Sequence, residues 1–395
     1  MSELPPLHAR EDAGDGPGPE GVALVMGGGG ARAAYQVGFL RCLARTFPEL
    51  RVPWLTGVSA GAINAAHLAS HQGSFLESVD ELTRLWERLR VEDVFRVDTR
   101  SLFLNLLRWG VQLVSGGLGG PPRVRGLVDT RPLRRYLHRA LHAEDGELPG
   151  IARNLEDGRL RALALSTSNY STGQSVTWVQ GHEIREWTRP RRSARRATLT
   201  VDHVMASAAL PLFFPAVELD GEWYGDGGIR LTAPLSPALH LGADRVVAIS
   251  TRYHPTADEA RATVVRGYPP PAQVVGILLN SVFLDLLDHD AMHLERLNRL
   301  LEKLPDEERE GMRPVRLLIQ RPSRDLAALA NRYEPRLPSA FRFLTRGLGT
   351  RETRSPDFLS LIMFQPDYLR ALMEVGEADA QANAEVIGAF LEEEG

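Results

Sequence analysis

The chain has 395 residues, 43% hydrophobic and 24% charged, with a formal net charge of −4. That length holds one large domain or two ordinary ones, the composition is that of a globular protein, and the weak negative balance excludes a general nucleic-acid binder. Lys303 is the only lysine among 46 basic residues, a bias that a GC-rich genome produces by itself, and Cys42 is the only cysteine. No intramolecular disulfide can form, which fits a reducing compartment.

Residues 1–20 are rich in Gly, Pro and acids and read as a disordered leader. They lack the basic start and apolar run of a secretory signal. No stretch reaches the roughly 18 uncharged apolar residues of a membrane span. The expected location is therefore cytoplasmic or peripheral to a membrane. Residues 21–26 are apolar and read as a buried strand. Glycines 27–30 turn the chain, and residues 31–45 read as a helix with Tyr35, Phe39, Leu40 and Leu43 on one face. A second strand is expected at 52–56, then a sharp turn at 57–61 and a small-residue helix at 62–70.

This order predicts an α/β fold with parallel strands. Further strand candidates lie at 161–167, 245–251 and 315–319. Asp220-Gly221 between alternating residues marks a hairpin over 216–224. The Pro-rich stretch 268–271 precedes a helix expected at 272–287. With no internal repeat and no linker, residues 21–395 are expected to form one domain, about 255–395 being a helical C-terminal extension packed on it.

Three short motifs carry chemistry. The first is Gly27-Gly28-Gly29-Gly30-Ala31-Arg32, between a strand and a helix. Glycines let successive N–H groups converge, and the helix start adds positive potential. Dinucleotide binding uses this geometry, and Gly28-x-Gly30-x-x-Ala33 fits that fingerprint loosely. An oxyanion hole uses it too. The end of the second strand helps to decide. A dinucleotide site wants an acidic residue there, whereas this strand ends in Thr56-Gly57-Val58-Ser59.

The second motif, Gly57-Val58-Ser59-Ala60-Gly61, matches G-x-S-x-G with a strand before it and a helix after it. Such an elbow exposes the Ser59 hydroxyl, and larger residues at 57 and 61 would collide with neighbouring backbone. The third is Gly225-Asp226-Gly227-Gly228. A serine needs a base, and a carboxylate can serve if it meets the hydroxyl in a water-poor site that raises its pKa. His67 and His71 share a helix face at i, i+4, but no Glu makes H-E-x-x-H, so they read as ordinary helix-face residues and no metal is expected. His240, His254, His289 and His293 are each available to complete a triad, and no neighbour singles one out.

Together the three motifs, with Ala206-Ser207-Ala208-Ala209-Leu210-Pro211-Leu212-Phe213-Phe214-Pro215, resemble the patatin-like phospholipase family. The match covers residues 21–250, and 358–380 looks like the C-terminal helices of bacterial members. Ala33 departs from it, since many members have glycine there. The resemblance implies a three-layer sandwich, a mostly parallel sheet flanked by helices, with the nucleophile on a strand–turn–helix elbow. It implies a Ser-Asp dyad without histidine: Ser59 forms the acyl-enzyme and Asp226 is the general base. The N–H groups of Gly28, Gly29 and Gly30 form the oxyanion hole, Arg32 supports that loop, and Gly27, Gly57, Gly61, Gly227 and Gly228 support the motifs. No cofactor is implied, and the substrate class is a phospholipid or another acyl ester.

Two stretches are unexplained by the motifs. Residues 102–114 are apolar and followed by glycines 116, 117, 119 and 120, and read equally as an interfacial lid or as a core helix with a loop. Arg189, Arg191, Arg192, Arg195 and Arg196 form a basic cluster that reads as a solvated loop or a contact for anionic head groups. Two competing readings are a Ser-His-Asp α/β-hydrolase, which needs one late histidine, and a non-catalytic lipid- or nucleotide-binding protein, which would tolerate loss of Ser59.

Overall fold

Strand β1 (Ala23–Met26) is apolar throughout because both of its sides are covered. Leu24 and Met26 belong to one hydrophobic core, and Ala23 and Val25 to another. The same alternation recurs in β3 (Ala162–Asn169), where Leu163 and Leu165 face the first core and Ala162 and Ala164 the second. Side chains of successive strand residues point to opposite faces, so one sheet separates two cores and the architecture is a three-layer sandwich. The computed structural model describes residues 21–96, 126–182, 184, 186–261, 271–283, 286–337, 342 and 357–392. The expected leader, the apolar run at 102–114 with its glycines, and residues 268–270 lie outside these.

Ten strands form the sheet: β1, β2 (Trp54–Val58), β3, β4 (Ser175–Gly181), β5 (Trp187–Arg189), β6 (Arg192–Arg196), β7 (Val217–Leu219), β8 (Glu222–Asp226), β9 (Arg245–Ile249) and β10 (Arg316–Gln320). The main order is β10-β9-β1-β2-β3-β4-β6-β5, and the first five are mutually parallel. The larger core is covered by helices α1 (Ala34–Thr46), α2 (Ala60–Ser70), α3 (Phe75–Arg88), α4 (Arg131–Ala140), α5 (Val201–Ser207), α8 (Asp357–Ile362) and α9 (Pro366–Ala382). The second core is closed by the short helix Ser236–His240 and by α7 (Leu286–Leu301); α6 (Pro271–Phe283) precedes α7.

Strand β2 runs two residues further than expected, through Gly57 and Val58, so the turn that carries Ser59 starts at the strand's last ladder position. The helix expected at 272–287 falls on α6 and the start of α7, which continues to Leu301. The hairpin of β7 and β8 turns through Asp220 (φ 51) and Gly221 (φ 79), the positive φ pair of the tightest hairpins. Strands β4, β5 and β6 went unpredicted. The Arg-rich β6 does not read as a strand, yet two of its guanidiniums lie along aromatic rings, Arg192 over Trp187 and Arg195 5.6 Å above the centre of Trp178.

One pairing detail positions the site. Strand β4 runs antiparallel along one flank of β3 from Ala162 to Ser168. The other flank is shared: β2 pairs with Ala162 to Ser166, and antiparallel β8 takes Thr167 to Asn169. Val58 opposes Ser166, and Asp226 opposes Thr167. The residue after Val58 and the last residue of β8 therefore meet where two strands end head to head on a third.

Candidate active site

Ser59 follows β2 with φ 56 and ψ −128, a backbone conformation that favours glycine. A Cβ at Gly57 would press on the carbonyl of Gly61 and the backbone of Ala62, and one at Gly61 on the carbonyls of Met26 and Gly27. The expected collisions are thus real, and they let α2 start directly against the first glycine loop. Ser59 N–H donates to Ser207 Oγ (3.1 Å), and Ser207 Oγ–H donates to the carbonyl of Ser166 (2.7 Å). Ser207 ties the strained turn to β3.

Asp226 is pinned at each end of its backbone. Its N–H donates to the Ala209 carbonyl (3.0 Å), and its carbonyl accepts from Ser168 Oγ (2.8 Å). Its Oδ1 accepts from the Gly228 N–H at 2.9 Å. A Cβ at Gly227 would strike the Ser166 carbonyl, so only glycine lets the loop lie this close to β3. Oδ2 is buried and has no hydrogen bond of ordinary geometry among the described residues. The side chain is fully buried, and burial pushes its carboxyl up to about 7, against the Ser59 hydroxyl and the Gly228 N–H, which favour the charge.

The glycine loop is held by its carbonyls. Gly27 O accepts from Gln36 Nε2 (2.8 Å), Gly28 O from Thr251 Oγ1 (2.7 Å) and Gly29 O from the Arg32 N–H (3.0 Å). A trans peptide sets each N–H opposite the preceding carbonyl, so the N–H groups of Gly28, Gly29 and Gly30 are turned away from these partners. None of the three donates to a described residue. Gly28 lies against Ser59, since a Cβ there would come within 3.1 Å of the Ser59 Cβ. Gly29, Gly30, Ser59 and Asp226 line one pocket.

Behind the loop runs a buried polar chain. Asn64 Nδ2 donates to Gln36 Oε1 (2.9 Å), and Trp86 Nε1 donates to Asn64 Oδ1 (2.8 Å). Satisfied chains of this kind stiffen their surroundings. The sequence singles out neither Gln36 nor Asn64, and it marks Ser207 only as part of a family motif. The available signal was a lone polar residue inside an otherwise apolar or alanine-rich helical stretch.

Arg32 is buried and turns its guanidinium to the C-terminal part of the chain. Nε donates to Ser360 Oγ (2.6 Å), and Nη2 to the Asp357 side chain (2.7 Å) and carbonyl (3.1 Å). It thereby clamps α8 against Gly30, where a Cβ would strike the Leu361 carbonyl. Leu361, Ile362 and Phe364 then form one wall of the pocket. Arg32→Ala is expected to cost about 2–3 kcal/mol, because it strips the partly buried Asp357 of its partner. Arg32→Lys should recover only part of that, having no fork to bridge Ser360 and Asp357. Urea unfolding of both variants checks this, and equal stability of Arg32→Ala and wild type would refute the clamp.

The pocket measures about 930 Å³ with its mouth. It runs from Ser59 along one face of α2, past Ala60 and Ile63 to His67, between α3 and α4. Its walls are apolar apart from the polar groups at its head and from Tyr136 and His67. His67 is held between the carbonyls of Ala140 (Nδ1, 3.3 Å) and Ser78 (Nε2, 3.1 Å), and burial lowers it to about 4. Both ring nitrogens therefore face these carbonyls and not Ser59, the neutral ring donating to one of the two. His71 pairs with Glu81 (3.1 Å). Of the late histidines, His240 stacks on Trp187, His254 pairs with Asp288 (2.7 Å), and His289 and His293 lie exposed on α7. No histidine among the described residues hydrogen-bonds to Ser59 or Asp226. No cluster of three or more His, Cys, Asp or Glu side chains among them is placed to hold a metal ion.

The family model for patatin-like phospholipase matches residues 24–239, more than half of the chain. No curated protein matches it. Among solved structures, it is similar to human GIVD cytosolic phospholipase A2 in complex with methyl gamma-linolenyl fluorophosphonate, at 15% identity and TM-score 0.45, over 94% of this chain and 59% of that one. The type III effector ExoU matches at 14% identity and TM-score 0.37, over 95% of this chain and 54% of that one. VipD from Legionella pneumophila matches at 16% identity and TM-score 0.34, over 62% of this chain and 52% of that one. The chain thus spans little more than half the length of the structures it resembles.

Proposed function

The chain belongs to the patatin-like phospholipase family, and we propose that it hydrolyses fatty acyl esters of phospholipids or lysophospholipids through a Ser59–Asp226 dyad. One observation carries this: the strained Ser59 and the fully buried Asp226 stand together at the head of an apolar pocket, the Ser59 hydroxyl close enough to favour the Asp226 charge. The fatty chain lies along α2 and the ester carbonyl sits at Ser59. Asp226 takes the hydroxyl proton while Oγ attacks the carbonyl carbon. The oxyanion forms against the N–H groups of Gly28, Gly29 and Gly30, which need no reorganisation because their peptides are already anchored. Collapse breaks the ester C–O bond, and Asp226 returns the proton to the leaving alcohol. Water, deprotonated by Asp226, then releases the fatty acid from the acyl-enzyme and restores Ser59.

A carboxyl raised to about 7 suits this task better than one near 3.8, since a general base works best with a pKa near the working pH. An alkyl fluorophosphonate is expected to label Ser59, and a medium-chain p-nitrophenyl ester to give a burst of p-nitrophenol if deacylation is slower than acylation. Mass spectrometry of the labelled peptide tests the assignment. Label on another residue with full loss of activity would overturn it, and a wild type that takes neither label nor substrate would make the chain a binder.

Chain length gives a second check. From Ser59 to His67 is eight residues of α2, about 12 Å at 1.5 Å each, and Ile63 stands halfway. Ile63→Phe is expected to spare a butyrate ester and to slow a dodecanoate ester about tenfold or more. Equal loss on both esters would place the acyl chain elsewhere.

A further inference from the structure

The basic cluster of the sequence is split by the fold. Strand β6 is antiparallel to β3, so its start lies at the catalytic edge of the sheet and its end at the opposite edge. Arg196 pairs with Val179 toward that far edge, and Arg195 turns to Glu222 (3.3 Å) and the Tyr224 hydroxyl (3.2 Å). Arg192 pairs with Ser175, which pairs with Ser168 beside Thr167, the partner of Asp226. Arg192 is thus three strand spacings, about 15 Å, from Asp226 along one edge. Arg189 pairs with Arg192 across the hairpin, whose turn holds Arg191.

Hydrogen bonds link the hairpin through the intervening turns to the loop beside Asp226. Tyr170, 46% exposed, packs on Gly225 beside Asp226 and takes the Trp223 carbonyl with its N–H (2.8 Å). Gln174 Nε2 in the next turn donates to the Pro190 carbonyl (3.4 Å), and Arg230 Nε donates to the Gly173 carbonyl (2.7 Å). Trp223 is 36% exposed. Leu212, 69% exposed and in left-handed backbone (φ 64), lies in the chain between Leu210 and Phe214, which line the pocket. Arg189 and Arg192 both stand over the Trp187 ring, 5.7 and 5.8 Å from its centre. Burial, then the Arg189 charge, pushes the Arg192 guanidinium down, with Asp290 opposing. Like charges are gathered here beside exposed aromatic and aliphatic side chains.

We propose that this edge, formed by Leu212, Tyr170, Trp223, Arg230 and the Arg189–Arg192 hairpin, is the face with which the protein docks on an anionic phospholipid bilayer. Aromatic rings seat at the headgroup level, arginines meet anionic lipid, and the pocket mouth then opens toward the membrane. The inference rests on the proposed function only in that a lipid substrate resides in the bilayer.

The test uses full-length protein carrying Ser59→Ala, so that the lipids stay intact, in sedimentation with vesicles of phosphatidylcholine alone or mixed with phosphatidylserine. Salt-sensitive binding to the mixed vesicles is expected. Arg189→Gln/Arg191→Gln/Arg192→Gln should weaken it about a hundredfold, at roughly fivefold for each cation near the surface. Arg159→Gln/Arg161→Gln/Arg196→Gln removes the same charge from exposed positions at or near the far edge and should change it less than threefold or so. Both triple variants, with Ser59 restored, should hydrolyse a soluble ester at wild-type rate. Equal loss of binding in both, or none in the first, would overturn the docking face. Binding as expected by a wild type without esterase activity would sink the proposed function and leave the face standing.

Discussion

Asp226→Asn is expected to slow ester hydrolysis about a thousandfold or more and, at pH 8, to stabilise the fold. Both effects have one cause. The carboxyl titrates near 3.8 when unfolded and at about 7 in the fold, because burial opposes its charge. Between these values the folded chain keeps a proton that the unfolded chain has released. Stability is therefore lost as pH rises through that window, and the full cost of the buried charge is reached above 7. Asparagine carries no charge at any pH, so its gain should amount to a few kcal/mol at pH 8 and shrink toward pH 4. In the proposed mechanism the same titration shapes catalysis: kcat/KM of the wild type should climb with pH through about 7 and level off as Asp226 ionises. Thermal unfolding at several pH values and a pH–rate profile read both. A variant keeping more than a tenth of the rate would remove Asp226 from the base role, and a rise centred near 4 would mean the site is wet.

Ser59→Ala is expected to lose at least as much activity, about a thousandfold or more, and the double variant with Asp226→Asn should be no slower than Ser59→Ala alone, since the members of the proposed dyad act as a unit. Losses that multiplied would mean that Asp226 acts independently, for instance on the loop alone. Ser59→Gly should be equally inactive yet about 1–3 kcal/mol more stable than Ser59→Ala, because glycine relieves the positive φ of 56 that alanine retains. Urea unfolding of the two inactive variants isolates the strain. No difference between them would show that Ser207 and the backbone of α2 hold the turn without cost.

Arg32 shows how a residue can be legible in type and not in task. The family resemblance implied a supporting role for it at the loop. Only the fold shows that its guanidinium holds Asp357 and Ser360, more than 320 residues away. The basic cluster shows the reverse: five arginines within eight residues read as one patch, and strand direction divides them between two edges.

Local rules sufficed for the elements with strong periodicity, for the elbow glycines at 57 and 61 and for the Asp220-Gly221 turn, because sterics and φ preferences act over a few residues. They sufficed as well for naming Ser59 and Asp226 as candidates, since each sits in a motif whose glycines have a steric reason to be there. What the tertiary structure alone decided is the meeting of those two residues. It depends on β2 and β8 ending head to head on one flank of β3, a pairing among segments more than 50 residues apart. The burial that lifts the Asp226 carboxyl, the Gln36–Asn64–Trp86 chain beneath the loop and the apolar pocket between α2, α3 and α4 follow from the same long-range packing, which no window of sequence contains.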